Sequence, residues 1–232
     1  MTVRPPGVRA ARLGNHGVVR IQYFLGTLLL TAFVGLGIVV RETPVAPDTA
    51  VRDAVGTRWR GALGTVADAV SAVLGPPLPI LLGVGLIAAT FLLWRRDDRR
   101  AGVSFRVLVL LGACRLTSLV AKPVFDRERP RDYGDFSYPS GHVASVASTG
   151  FAAVVLCLWL APKAVSTVRV IAVAATLLTC AARVALGVHW LTDTLGAILA
   201  VVGVGLLVTP ALRLSPVCGH GTRTARDEPG RP

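Results

Sequence analysis

Six apolar runs, each about twenty residues long and bounded by charges or prolines, constrain this chain more than any other feature. They run from Ile21 to Val40, Leu78 to Trp94, Ala101 to Ala121, His142 to Ala161, Val168 to Val188 and Leu191 to Leu212. A helix of ~20 apolar residues crosses a hydrocarbon core of ~30 Å. Inside a bilayer every backbone polar group must be satisfied by the protein itself, which selects helices over open strands. The expectation is an all-α, six-span transmembrane helical bundle. Apolar side chains make up 53% of the 232 residues, more than an ordinary soluble domain of this size carries.

The charge pattern orients the spans. The formal net charge is +12, and Lys122 and Lys163 are the only lysines; every other basic side chain is arginine. Arg4, Arg9, Arg12 and Arg20 precede the first run. Four arginines fall within Arg95–Arg100, Lys163 and Arg169 join the fourth and fifth runs, and Arg213, Arg223, Arg226 and Arg231 follow the last. Six spans put all four segments on one side, which the positive-inside rule makes cytoplasmic. Residues 1–20 are then a basic cytoplasmic amino terminus, 21–212 the membrane domain, and 213–232 a disordered cytoplasmic tail rich in Gly, Pro and Arg. Nucleic acid is not an expected partner, because no basic patch interleaved with aromatics appears. The bilayer and its anionic headgroups account for the arginines.

Ile21–Val40 is too long for a cleaved signal core and lacks a small-residue cleavage site, so it reads as a retained helix. Between Gly61 and Gly75, apolar residues recur at Leu63, Val66, Ala67, Val70, Val73 and Leu74, with Asp68 and Ser71 opposite. That period predicts a short amphipathic helix lying in the first outer loop. Cys114, Cys157 and Cys180 fall inside spans and Cys218 in the tail, a distribution that suits small apolar packing residues rather than disulfides or zinc.

Three clusters break the apolar pattern, and all three fall on the outer side. The first is Lys122-Pro-Val-Phe-Asp-Arg-Glu-Arg129-Pro130, the second Pro139-Ser140-Gly141-His142, the third Arg183, His189 and Asp193. Ionisable groups this costly at a membrane mark a functional site. Lys122 and Arg129 are two helical turns apart and would share a face if the backbone stayed near-helical, although Pro123 and Pro130 make a turn equally plausible. Arginine's planar fork suits phosphate oxygens. Asp126, Glu128, Asp132 and Asp135 in the same loop read as solvated balancing charges rather than metal ligands.

Ser140-Gly141-His142 opens an apolar helix, whose free N–H groups can receive an anion while glycine lets it approach. Ser140 could cap that helix or donate to the same anion. His189 and Asp193 are spaced i, i+4. A carboxylate on one imidazole nitrogen fixes the tautomer and leaves the other nitrogen as nucleophile or base. Arg183 lies ~9 Å along the helix before His189 by simple rise. Arg115 precedes Lys122 by seven residues and should line the same cavity ~10 Å deeper, as a support for the site or a headgroup contact.

The order Lys-x6-Arg-Pro, Pro-Ser-Gly-His, Arg-x5-His-x3-Asp resembles the three-part signature of the type 2 phosphatidic-acid phosphatase family, in a superfamily shared with vanadium haloperoxidases and bacterial acid phosphatases. The resemblance covers about residues 78–210, with its motifs between Lys122 and Asp193. One departure stands out: the third motif normally reads Ser-Arg, and here the serine is Ala182.

The resemblance implies a bacterial integral-membrane lipid phosphatase that needs no metal or cofactor and acts on a phosphomonoester or pyrophosphate. His189 would form a phosphohistidine with Asp193 orienting it, and His142 would serve as acid and then base. Lys122, Arg129, Ser140, Gly141 and Arg183 would hold the phosphate. Phosphatidic acid, phosphatidylglycerol phosphate and a polyprenyl diphosphate all fit an outward-facing site, the polyprenyl carrier slightly better. The alternatives are a non-catalytic lipid-phosphate-binding protein and an anion or lipid transporter.

Overall fold

The computed structural model describes residues 6–134 and 136–215, with side chains from residue 16 onward. Eight α-helices account for most of these residues: α1 (Pro6–Val40), α2 (Ala46–Val55), α3 (Ala62–Leu74), α4 (Pro77–Trp94), α5 (Arg100–Phe125), α6 (Gly141–Leu160), α7 (Val165–Ala185) and α8 (Leu191–Ala211). Single 3₁₀ turns cover Arg58–Arg60 and Pro162–Ala164, and no strand occurs among the described residues. Six helical stretches are long and apolar enough to cross a membrane: His16–Val40, Ala62–Trp94, Arg100–Phe125, Gly141–Leu160, Pro162–Ala185 and Leu191–Ala211. The all-α, six-span architecture is therefore the one expected.

Helices α5, α6 and α8 meet at the centre, where Val107, Leu110, Leu111, Cys114, Val143, Ala144, Ala152, Ala197 and Val201 form the main buried cluster. Helix α1 lies along α8, α7 along α6, and α4 along α5. Close approach depends on small residues, as expected where lipid removes the hydrophobic drive between helices. At Gly203 an added Cβ would stand 2.9 Å from the Leu30 side chain and 3.2 Å from the Gly26 carbonyl oxygen. Large apolar side chains such as Ile80, Leu81, Ile87, Val170 and Ile171 face outward, toward what would be lipid.

The segments before and after the first span are more ordered than the sequence suggested. Helix α1 reaches back to Pro6, and α2, which the apolar pattern did not mark, carries a buried Asp48 in its first turn. Helix α3 forms where the amphipathic helix was expected, but with a different face inward. Its buried stripe is Gly64, against the Trp59 backbone, with Ala67 and Ser71 against the carboxyl half of α7, while Leu63, Val66 and Val73 are exposed. Small residues allow α3 to sit close on α7, and its large side chains are left for the bilayer. Ser71 was expected on the polar side and instead faces the protein.

At the opposite end, Leu214 is buried and accepts a 2.9 Å hydrogen bond from Trp159 Nε1, while Ser215 Oγ donates to Gln22 Oε1 at 2.7 Å. The bundle thus continues through Ser215. The remainder of the expected tail, 216–232 with Cys218, lies outside the described residues, as does Asp135.

Candidate active site

Four helix ends and two loops converge at one end of the bundle: the last turns of α5 and α7, the first turns of α6 and α8, and the segments 126–140 and 186–190. Alternating helix direction brings these ends together, so clusters far apart in sequence share one surface.

Helix α5 stops at Asp126, which adopts a left-handed conformation (φ 51°) while its N–H closes the helix on the Lys122 carbonyl at 3.0 Å. Lys122 and Arg129 therefore do not share a helix. Lys122 stays in the last turn of α5, with its Cε 4.0 Å from where a Cβ on Gly141 would lie. Arg129 reaches the site from the loop: Nη1 donates to the Val188 carbonyl at 2.7 Å and stands 3.1 Å from His189 Nε2, and Nη2 donates to the Phe136 carbonyl at 3.3 Å. Asp126, Glu128 and Asp132 are exposed.

Ser140 stands at the start of α6, yet its hydroxyl does not cap the helix. Ser140 Oγ is buried and has no hydrogen-bond partner among the described residues. Its backbone N–H donates to the Asp193 carbonyl at 3.1 Å, which ties α6 to α8. His142, in the first turn of α6, lies against Gly75 at the end of α3, and the charges of Arg183, His189, Lys122 and Arg129 all act on it. Arg115 lies deeper on α5. Its Nη1 donates to the Gly141 carbonyl at 3.4 Å and to Ser118 Oγ at 3.3 Å.

Arg183, in the last turn of α7, is 3% exposed. Its Nη1 donates to Ser71 Oγ at 3.5 Å, while Nε is buried without a partner among the described residues. Ala182 packs with Ala67, Leu186 and Val188, on the α3 side of α7. After α7 the chain turns at Gly187, whose φ of +65° is the left-handed conformation that glycine adopts without strain. That turn delivers His189 to the site just before α8 begins.

His189 and Asp193 meet, though not as neighbours on one helix. Asp193 is in the first turn of α8 and reaches back, so that Oδ2 accepts from the Trp190 N–H at 2.8 Å and lies 3.2 Å from His189 Nδ1. With Nδ1 protonated toward this carboxylate, Nε2 is left as the basic nitrogen, facing Arg129. Burial pushes the His189 imidazole down to about 4, with the Arg129 and Arg183 charges in the same direction; the hydrogen bond and charge of Asp193 oppose them. At neutral pH the ring is uncharged, and its Nε2 lone pair is directed at Arg129 Nη1.

Two side chains absent from the sequence reading complete the centre. Arg127, 2% exposed, donates from Nη1 to Asp193 Oδ1 at 2.6 Å and to Thr192 Oγ1 at 2.7 Å, and from Nη2 to Asp48 Oδ2 at 2.7 Å. Asp48 in turn accepts from the Thr192 N–H (2.9 Å) and Thr192 Oγ1 (2.7 Å). A local signal for Arg127 did exist. In Asp126-Arg127-Glu128-Arg129 the charges alternate, and the structure turns both arginines in and both acids out. Nothing in the sequence separates Asp48 from an ordinary helix-start carboxylate.

Six transmembrane helices with this cluster of cations, paired histidine and aspartate at one end define an integral-membrane phosphatase. The model of the PAP2 superfamily matches residues 103–214, which spans α5 to α8 and all three motifs. The fold is similar to the crystal structure of the first transmembrane PAP2-type phosphatidylglycerolphosphate phosphatase from Bacillus subtilis, with a TM-score of 0.62 and 25% identity, over 82% of this chain and 94% of that one. No curated protein sequence matches the chain. The PAP2 match over residues 103–214 and the likeness to that membrane enzyme together indicate a lipid phosphatase of the PAP2 type.

Proposed function

We propose that this enzyme hydrolyses a lipid phosphomonoester at the outer face of the membrane, without a metal, through a phosphohistidine at His189. Two buried donors support this above all: Ser140 Oγ and Arg183 Nε have no partner among the described residues. The Ser140 N–H is bonded to the Asp193 carbonyl, and the Arg183 charge acts on both His142 and His189. Leaving such groups unsatisfied costs ~1–3 kcal/mol or more each, and a phosphate's oxygens would satisfy both. Lys122, Arg129, Arg183, Ser140 and the Gly141 N–H at the amino terminus of α6 would hold the three non-bridging oxygens as charge shifts in the transition state.

Attack then forms a bond from His189 Nε2 to phosphorus in line with the lipid oxygen, which leaves with a proton from His142. The Asp193 carboxylate offsets the positive charge that His189 acquires. His142, now neutral, takes a proton from water as the water oxygen attacks phosphorus and the N–P bond breaks. Inorganic phosphate leaves with both histidines returned to their starting states.

Among the described residues, no group of three or more His, Cys, Asp and Glu side chains is placed to hold a metal ion. The three cations would carry the charge that magnesium carries in other phosphoryl-transfer enzymes. The likeness to a phosphatidylglycerolphosphate phosphatase makes that lipid the first substrate to try. The arginine-rich loops at the other end of the bundle support an outward-facing site.

The test is phosphate release by detergent-purified protein with EDTA present. The panel comprises phosphatidylglycerol phosphate, phosphatidic acid and a polyprenyl diphosphate, beside His189→Ala. Release by the native protein alone is expected. Activity that EDTA abolishes, or that survives in His189→Ala, would overturn the mechanism.

A further inference from the structure

Arg127, Asp48, Thr192 and Asp193 form a closed network under the His189 imidazole, with Asp48 1% and Asp193 0% exposed. Each heavy-atom distance from Arg127 to its three partners is 2.6–2.7 Å. The guanidinium is capped by Trp190, whose ring centre is 5.5 Å from its Cζ and whose Nε1 donates to the Glu128 carbonyl at 2.9 Å. Enclosure on all sides leaves the carboxylate of Asp193 one orientation: Oδ1 belongs to Arg127, with Ser137 Oγ at 3.5 Å, and Oδ2 to Trp190 N–H and His189.

The charges count as well as the geometry. One arginine against Asp193 alone would cancel the charge that the His–Asp pair needs when His189 becomes cationic. Asp48 takes the second arm of the fork, so two carboxylates share one guanidinium and a net charge of −1 remains. Asp48 also accepts the Thr192 N–H at the start of α8, which anchors the outer helix α2 to the same point.

We propose that Arg127 and Asp48 are positioning residues of the phosphatase, which together fix the orientation and the net charge of the carboxylate that holds His189. The proposal rests on His189 acting as the nucleophile. The groups that face His189 are Asp193 from α8, Arg129 from the loop after α5, and Arg183 from α7. His142 on α6 is in electrostatic reach, and Arg127 and Asp48 act through Asp193. Removing Arg127 makes this surrounding more negative and favours protonated His189; removing the Asp48 charge does the reverse. The two variants should therefore move the acid limb of the rate profile in opposite directions. A role confined to folding predicts no such opposition.

The experiment compares native protein, Arg127→Gln, Asp48→Asn and the double variant, full-length in detergent, for kcat, KM and acid limb with a lipid phosphomonoester. Arg127→Gln should lower kcat about tenfold or more, leave KM within about threefold, and shift the acid limb to higher pH. Asp48→Asn should lower kcat less and shift the limb to lower pH. The double variant should restore the limb toward the native position while kcat stays low, because charge is rebalanced and orientation is not. If Arg127→Gln fails to fold, Arg127→Lys, which keeps the charge and loses the fork, should lower kcat without moving the limb. Limbs that stay fixed, or that move together, would overturn the proposal, as would a loss carried by KM alone. Absence of phosphate release by the native protein would instead sink the catalytic reading. Titration of the His189 imidazole by NMR in the same variants would still read the opposed shifts.

Discussion

Nη1 of Arg129 stands 3.1 Å from Nε2 of His189, against the ring nitrogen opposite the one that faces Asp193. In the resting site this guanidinium covers the lone pair that attacks phosphorus in the proposed mechanism. An incoming phosphate offers Arg129 a better acceptor, and transfer of the N–H from imidazole to a phosphate oxygen would uncover the nucleophile as its target arrives. Arg129→Ala should lower kcat/KM by about 10²–10³, in the range seen when one transition-state donor is removed. Arg129→Lys should recover little, because a single ammonium cannot span the Val188 carbonyl, the Phe136 carbonyl and the phosphate together. Steady-state rates for the two variants check this, and near-native activity in the lysine variant would contradict it.

A neutral buried His189 ties stability to pH. Its pKa is about 4 in the folded protein, against an ordinary value near 6.5. Between those values the unfolded chain binds more protons at this position, so folding stability rises with pH across the window. The contribution is complete above about 6.5 and is lost as pH falls toward about 4. Thermal melts in detergent should show the native protein losing more stability over that interval than His189→Asn, which cannot titrate there. Parallel losses in the two proteins would assign the acid sensitivity elsewhere.

Ser71 stands out because Ala182 leaves the third motif without its hydroxyl. Ala182 faces Ala67 of α3, and one turn further along α3 the Ser71 hydroxyl accepts from Arg183. Its own proton is then free to point into the site. Ser71→Ala should lower kcat/KM about fivefold, the equivalent of ~1 kcal/mol for one hydrogen bond. Ser71→Thr, which keeps the hydroxyl, should stay closer to native. If both variants match the native rate, the hydroxyl serves only to pad Arg183.

How much of this was legible in the sequence follows from the range of each signal. Apolar runs of membrane length are local, so the six spans could be read directly, from Ile21–Val40 to Leu191–Leu212. The Lys122, Ser140-Gly141-His142 and His189–Asp193 clusters were legible as residue types too expensive to place at a membrane without purpose. Geometry that depends on how one segment lies on another was not. Ser71 was assigned to the wrong face because amphipathic reasoning assumes water opposite the protein; here lipid takes the large side chains and the protein takes Gly64, Ala67 and Ser71. Helical spacing carries no signal for Arg127, because the chain has already left the helix at Asp126. Asp48 is 79 residues from Arg127 and 144 from Thr192, and only the folded chain brings them together.

Arg115 extends the site below its floor. Its Nη1 holds the Gly141 carbonyl from beneath, at 3.4 Å, with Ser118 Oγ at 3.3 Å as a second acceptor. Gly141 is the residue whose N–H would meet the phosphate, so a charge on its carbonyl fixes the amino terminus of α6 and adds to the positive potential there. A lipid-facing arginine would aim its head toward an interface; this one is turned inward, which argues for the site. Arg115→Leu keeps most of the volume and apolar contact while removing that donor. The expected result is a drop in kcat/KM of about tenfold, on the order of 1.4 kcal/mol, with a melting temperature near the native one. Arg115→Lys should retain more activity than the leucine variant because the charge beneath Gly141 remains. A well-folded leucine variant that turns over lipid phosphate at the native rate would show that the Gly141 carbonyl needs no support from α5.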